Sequence, residues 1–307
     1  MVIIIPYFNF TNSDTLRKNH ILCVKRMAKY GYPVITAIAR MGEILPSDIT
    51  FKSIANHYCY CWFTGTFIWH KEQLINMAFE RCKQDFPEQS DKLLWIDSGC
   101  YLKKGTIDAT VEALDTHDTV QCYYNVLSLS YNGKDIDRSG WGSGSNISML
   151  RNCECGVRKF YGSHGGAWAA TSEFFTAIDG LYTGMIMGGG DTIYLSGVIG
   201  EGIVTDTVEP TTDILGHTAV YKARVAALKP KFKAIPGTLY HMWHTTIAKR
   251  NLASRRAILK EGPFNPELDL VREPYALNAW SSHASPIFML NVSKYIKSRI
   301  SAEVLRK

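Results

Sequence analysis

Val2-Ile3-Ile4-Ile5-Pro6 and Pro33-Val34-Ile35-Thr36-Ala37-Ile38-Ala39 are two unbroken apolar runs, and what lies between them decides the fold. A run without polar alternation is the mark of a strand covered on both faces. The first run ends in the polar turn Asn9-Phe10-Thr11-Asn12-Ser13-Asp14, whose short side chains cap helices, and the segment that follows stops at Tyr30-Gly31. Strand, helix and strand at this spacing form a right-handed βαβ unit with its strands parallel.

The alternation continues downstream. Leu74, Ile75, Ala78, Phe79 and Cys82 recur at helical spacing within Trp69–Cys82, and Lys92–Ile96 reads as a third strand running into Asp97-Ser98-Gly99. A helix is expected over Gly105–Thr116 and a strand over Thr119–Tyr124. The Gly-, Ser- and Asn-rich stretch from about Ser128 to Gly166 reads as one long functional loop. Further helices are expected over Thr171–Ile178, Thr192–Ile199 and Thr245–Lys260. Within Ser285–Arg306, Phe288, Val292, Tyr295 and Ile296 share one helical face, so this end is expected to pack back on the rest. The organisation expected is one α/β domain over 1–262, a mixed and mostly parallel sheet flanked by helices, with a helical extension over 263–307.

At 307 residues and 46% hydrophobic content, the chain has enough apolar surface for a full core. No apolar stretch approaches the roughly 20 residues needed to cross a bilayer, and no basic segment precedes the first apolar run, so a soluble cytoplasmic protein is expected. Of eight cysteines, Cys23, Cys82, Cys100 and Cys122 fall within regular elements. Cys59/Cys61 and Cys153/Cys155 are Cys-x-Cys pairs, not Cys-x-x-Cys zinc knuckles, and read as reduced thiols, with a metal or redox role as the alternative. Lys and Arg outnumber Asp and Glu by 34 to 28. The excess is concentrated: no acid occurs between Asp213 and Glu261, a stretch that holds Lys222, Arg224, Lys229, Lys231 and Lys233 among others. A one-signed block of this kind is either a solvated surface or an attractor of phosphates, from a nucleotide or a nucleic acid.

In open α/β sheets, ligands bind beyond the carboxyl ends of the parallel strands. The turn Tyr7-Phe8-Asn9 and the carboxylate of Asp97 both fall there. Asp97 is either a turn former or the ligand of a divalent cation bridging two phosphates. Gly162-Ser163-His164-Gly165-Gly166-Ala167-Trp168 allows close backbone approach to a ligand, with Trp168 able to stack on a sugar face. Gly188-Gly189-Gly190-Asp191-Thr192 puts an acid at a helix start, either as an N-cap or as a base within reach of a hydroxyl. Tyr240-His241-Met242-Trp243-His244 offers two imidazoles for a metal or a phosphate. No Walker-type Gly-Lys-Ser/Thr and no dinucleotide fingerprint occurs.

Taken in order, Ile3-Ile4-Ile5-Pro6-Tyr7, Trp69-His70-Lys71-Glu72-Gln73-Leu74-Ile75-Asn76, Trp95-Ile96-Asp97-Ser98-Gly99, Gly165-Gly166-Ala167-Trp168-Ala169, Gly189-Gly190-Asp191 and His241-Met242-Trp243-His244 with Arg250 and Arg255 form a series. This series resembles the GT-A-fold (Rossmann-like) glycosyltransferases of the galactosyltransferase and polypeptide N-acetylgalactosaminyltransferase type, with related viral and bacterial enzymes. The resemblance spans most of the chain. It implies a nucleotide-sugar donor, UDP-linked by preference, held by Pro6, Tyr7, Asn9, Lys71, Asn76, Asp97, Ser98, Arg250 and Arg255. It implies acceptor or sugar contacts at His164, Gly165, Gly166, Trp168 and Gly190, and Asp191 as the base. It also implies Mn²⁺ or Mg²⁺ on Asp97 with His241 or His244. Gly99 replaces the second acid of the family's Asp-x-Asp, leaving a thinner cation site.

The expected chemistry is hexosyl or pentosyl transfer to an acceptor hydroxyl. The acid-free basic block favours a hydroxymethylated or already glycosylated pyrimidine in viral DNA as acceptor. A saccharide or cell-surface glycan is the alternative acceptor, and a nucleotide-sugar-binding protein without transferase activity is the alternative class.

Overall fold

The computed structural model describes residues 1–10, 12–41, 54–144, 162–200, 212–244, 252–262, 264–272 and 276–301. Its first unit is the expected one. Val2–Tyr7 (β1) is buried throughout and Asp14–Met27 (α1) starts at Ser13, whose hydroxyl accepts from Leu16 N. Val34–Met41 (β2) pairs parallel with β1, Ile3 opposite Val34 and Tyr7 opposite Ile38. His57–Thr64 (β3) follows, then Lys71–Asp85 (α2), Lys92–Ile96 (β4) and Cys100–Tyr101 (β5). Lys104–Ala113 (α3), Thr119–Gln121 (β6), Asn125–Leu129 (β7) and Ile136–Trp141 (β8) complete the first half.

The second half runs through Ala167–Thr171 (β9), Ser172–Ala177 (α4), Gly190–Ile199 (α5), Thr212–Ala227 (α6), Phe232–Ala234 (β10) and Thr238–His241 (β11). Leu252–Glu261 (α7), Leu270–Val271 (β12), Ala279–Trp280 (β13) and Pro286–Ser301 (α8) close it.

The main sheet has the order β10-β6-β9-β4-β1-β2-β3. Every neighbour pair in it is parallel except those of β9, which runs antiparallel to both β4 and β6. A smaller sheet, β5-β11-β7-β8, carries His241 at the end of β11, and β12 and β13 form a third pair.

Strand periodicity divides the core into two layers. Val2, Ile4, Leu93, Trp95, Trp168 and Ala170 face α2, α5 and α8. Ile3, Ile5, Leu94, Ile96, Ala167 and Ala169 face α1, α3 and the smaller sheet. Each large apolar side chain buried this way contributes roughly 1.5–3 kcal/mol. Phe288, Val292, Tyr295 and Ile296 of α8 join the first layer, so the C-terminal stretch shares its core with β1 and α2.

Several expectations are corrected. The long loop from Ser128 is in its first part a hairpin, β7 against β8, with Leu127 opposite Ser139; residues 145–161, Cys153 and Cys155 among them, lie outside the described residues. His57–Thr64 is an edge strand whose mixed exposed and half-buried side chains give no sequence period. The run around Trp168 is not a ligand loop but the strand β9 at the centre of the sheet. Of the helix expected over Thr245–Lys260, Leu252–Glu261 is helical, and 245–251 lie outside the described residues.

Candidate active site

β1 and β4 are parallel neighbours, so their carboxyl ends deliver Tyr7 and Asp97 to the same edge of the sheet. Asp97 is fixed at both backbone ends: its N–H donates to Gly166 O at 2.8 Å and its carbonyl accepts from Cys100 N at 2.8 Å. A cavity of about 430 Å³ opens there. Pro6, Tyr7, Asp97 and Ser98 line it from the sheet, and Trp69 and Lys71 from the start of α2. His164, Gly165 and Asp191 line it from the second half of the chain, with His241, His244 and Arg255 at its rim. A larger cleft of about 720 Å³ lies between α7 and α8, but its lining contains Lys294 and hydroxyl and apolar side chains without an acid or histidine. The titratable side chains gather in the smaller one.

Lys71 is the centre of the cavity floor. Its ammonium lies 2.6 Å from Asp97 Oδ1, 2.9 Å from Asp191 Oδ1 and 2.7 Å from Asp191 Oδ2. Three hydrogens meet three carboxylate oxygens. Burial alone lowers the Lys71 pKa, but Asp191 and Asp97 outweigh it and push it well above its ordinary value. Burial pushes the Asp191 carboxyl up, Lys71 pulls it down, and Asp97 adds to the rise. Glu72, one residue on, is 3% exposed and its Oε1 has no hydrogen-bond partner. Burial raises it to about 8, Lys71 opposing and Asp191 reinforcing.

Glycines make this cluster possible by lacking a side chain. A Cβ on Gly165 would stand 2.5 Å from Asp191 Oδ2, and one on Gly190 would stand 2.2 Å from Glu72 Oε1. Asp191 is the second residue of α5, whose N-cap is Gly189, so its carboxylate is not the helix cap and is committed to Lys71. α5 and α2 both begin without a side-chain cap, and their first turns reach the cavity. Their amide dipoles favour an anion there.

Ser98 is held from behind. Its hydroxyl shares a hydrogen bond of 3.1 Å with His20 Nδ1, His20 Nε2 meets Thr36 Oγ1 at 3.1 Å, and Thr36 Oγ1 meets His57 Nε2 at 2.9 Å. Burial lowers His20 to about 3 and His57 to about 4, so both rings stay neutral near pH 7. His20 also stacks on Tyr7 with centroids 4.2 Å apart. His164 Nδ1 meets Thr192 Oγ1 at 2.9 Å, tying the glycine-rich segment to α5.

Not every expected residue reaches the cavity. Trp168 is fully buried, packs on Tyr194 and Phe232, and donates its Nε1–H to His164 O at 2.7 Å, so it cannot stack on a sugar. Asn76 clamps Leu181, donating to its carbonyl and accepting from its N–H, each at 2.8 Å, and lines a different cleft. Asn9 holds its own turn, bonded to Ser13 and to the Tyr7 hydroxyl, and supports Tyr7 rather than facing the cavity. Gly166 is buried behind Asp97, and Gly190 packs on Glu72. Arg250 lies outside the described residues. The three-way contact of Lys71 was not legible in sequence, because it joins the starts of two helices to a strand tip.

His241 and His244 approach each other, with ring centroids 5.0 Å apart. Together with Asp97 they do not make a set that fits Mn²⁺ or Mg²⁺. The Lys71 ammonium takes one oxygen of Asp97, Oδ1, and Gly99 offers no carboxylate. The Gly99 carbonyl accepts from Met242 N at 2.8 Å. Among the described residues, no three His, Cys, Asp or Glu side chains gather as a metal site. No described helix is long and apolar enough to cross a membrane.

No family model and no curated protein matches the chain. Solved structures do. A mannosyltransferase from Pyrobaculum calidifontis, in complex with GDP-Man and Mn²⁺, is 12% identical over 98% of this chain and 69% of its own, with a TM-score of 0.44. The catalytic domain of Drosophila β1,4-galactosyltransferase 7, in complex with xylobiose, is 10% identical over 96% of this chain and 98% of its own, at 0.41. A 4-diphosphocytidyl-2C-methyl-D-erythritol synthase from Anaerococcus prevotii is 13% identical over 77% and 88%, at 0.36. Likeness at this level concerns the course of the chain and leaves the site to be read from its own residues.

Proposed function

We propose that the chain is a GT-A-type glycosyltransferase that moves a sugar from a nucleoside diphosphate to an acceptor hydroxyl. The observation that carries this reading is the pairing, in one cavity, of a strand-tip acid from the nucleotide half, Asp97, with an enclosed acid from the second half, Asp191. The acceptor oxygen attacks the anomeric carbon as the bond to the diphosphate breaks, and Asp191 takes the acceptor proton. The configuration inverts in this single displacement. Arg255 and the first turns of α2 and α5 face the charge that accumulates on the leaving diphosphate.

A DNA hydroxyl is the acceptor we favour. Lys229, Lys231 and Lys233 are exposed on and before β10, and the described part of the basic block holds no acid after Asp213 until Glu261. Tyr131 and Trp141 stand exposed at the β7–β8 hairpin, and Tyr131 packs on Trp243, next to His244 of the cavity rim. Exposed aromatic rings suit stacking on bases, and exposed basic side chains suit phosphates.

The experiment is incubation with UDP- and GDP-sugars, scoring donor hydrolysis and transfer to hydroxymethylated DNA, oligosaccharide and peptide. Transfer to DNA that weakens steeply with salt is expected. Transfer only to oligosaccharide or peptide overturns the DNA acceptor, and absence of both hydrolysis and transfer with every donor overturns the transferase reading.

A further inference from the structure

We propose that Lys71 is the built-in counter-cation of this site: its ammonium fills the point where Asp97 and Asp191 converge, so a nucleoside diphosphate binds without a divalent metal ion. The inference rests on the nucleotide-sugar reading for its ligand, but its geometry stands on the cavity floor alone.

Three carboxylate oxygens from two acids lie 2.6, 2.7 and 2.9 Å from one nitrogen. These are charge-assisted hydrogen-bond lengths, and an ammonium has three hydrogens to satisfy them. A divalent ion binding carboxylate oxygens would need the same point, at roughly 2.0–2.6 Å from the same atoms. At these three oxygens the two occupants are mutually exclusive. Lys71 cannot easily withdraw, because it is the first residue of α2 and is only 4% exposed. Drawn away from both carboxylates it would leave a buried ammonium unpaired, which is strongly unfavourable.

Of the four carboxylate oxygens of the two acids, Asp97 Oδ2 is the one that Lys71 does not hold. The carbonyls of Asp97 and Gly99 already accept from Cys100 and Met242. One oxygen beside imidazoles, which suit softer ions, is not the oxygen-rich set that Mg²⁺ or Mn²⁺ takes, and among the described residues no three His, Cys, Asp or Glu side chains gather. The diphosphate then meets Arg255 and the first turns of α2 and α5.

The test uses the full chain and two probes, Mn²⁺ alone and UDP or GDP. Titration of wild type with Mn²⁺, followed by electron paramagnetic resonance, is expected to show no saturable site. The Kd of UDP or GDP is expected to agree within about twofold between EDTA and excess Mn²⁺. Lys71→Met leaves the two carboxylates facing one vacated point, so the variant is expected to gain Mn²⁺ binding, which Asp191→Asn in the same background removes. Stoichiometric Mn²⁺ binding by wild type, or a nucleotide Kd tightened tenfold or more by Mn²⁺, overturns the proposal. So does a folded Lys71→Met protein that gains no Mn²⁺. If that variant does not fold, the wild-type titrations decide alone. Failure to bind either nucleotide under both conditions overturns the nucleotide-sugar reading instead, and the Mn²⁺ titration still judges Lys71.

Discussion

Asp97 and Asp191 hold the same ammonium. One stands at the tip of a central strand and the other in the first turn of a helix from the second half of the chain, yet Lys71 Nζ lies 2.6 Å from the first and 2.7 Å from the second. The strand tip and the helix start are therefore braced against each other through a side chain that neither can lose without leaving charge unpaired. Four expectations follow from this floor and from the packing beneath it.

Glu72 should make stability fall as pH rises. Folded, it keeps its proton up to about 8, because burial disfavours the carboxylate; unfolded, it ionises near 4.5. Between those values unfolding releases a proton, so raising the pH favours the unfolded chain. The contribution is fully present below about 4.5 and is lost as pH rises through about 8. Glu72→Gln, with no proton to release, should flatten this part of the profile. Thermal midpoints across the window check it, and an unchanged slope in the variant would reject the assignment.

Gly165→Ala should damage both turnover and stability. The new Cβ would stand 2.5 Å from Asp191 Oδ2, the oxygen that lies 2.7 Å from Lys71 Nζ, so the carboxylate must shift off the ammonium it holds. A displaced base costs roughly 10²-fold in kcat. Equal kcat in the two proteins, with melting unchanged, would mean that the Asp191 position does not matter.

Trp168→Ala should instead lower stability by about 3–5 kcal/mol, the usual cost of emptying a core of a large aromatic. Trp168→Phe should keep nucleotide affinity, because the indole is fully buried against Tyr194 and Phe232 and meets no ligand. Isothermal titration separates the two. A stable Trp168→Phe protein that has lost its nucleotide would restore a binding role to the ring.

The contrast between Asp97 and Trp168 shows where sequence reasoning succeeds. Leu93–Ile96 is an apolar run that can only be a strand covered on both faces, and its end places Asp97 at the sheet edge. Val2–Tyr7 delivers Tyr7 by the same logic. Ala167-Trp168-Ala169-Ala170-Thr171 has no such signature. Small residues after glycines read as a loop, and they become a strand only because β4 and β6 offer backbone partners on both sides. That antiparallel strand moves Trp168 from the site into the core. The Lys71 bridge was hidden for a related reason: the resemblance makes Lys71 a donor contact at a helix start, and its burial between Asp97 and Asp191 depends on where α5 begins. Glycine spacing at 188–190 pointed to a close approach there, but not to Glu72 and Lys71 as what is approached.

The most direct measurement is kcat and nucleotide Kd for Asp191→Asn on one preparation, with its thermal midpoint. As the base, Asp191 should take kcat down roughly 10²–10⁴-fold when its charge is removed. Nucleotide affinity should hardly move, because Asp97 still pairs with Lys71 and Arg255 still lines the cavity. A variant that melts earlier but turns over like wild type would contradict the account, leaving Asp191 as a structural partner of Lys71 and the proposed transfer without its base.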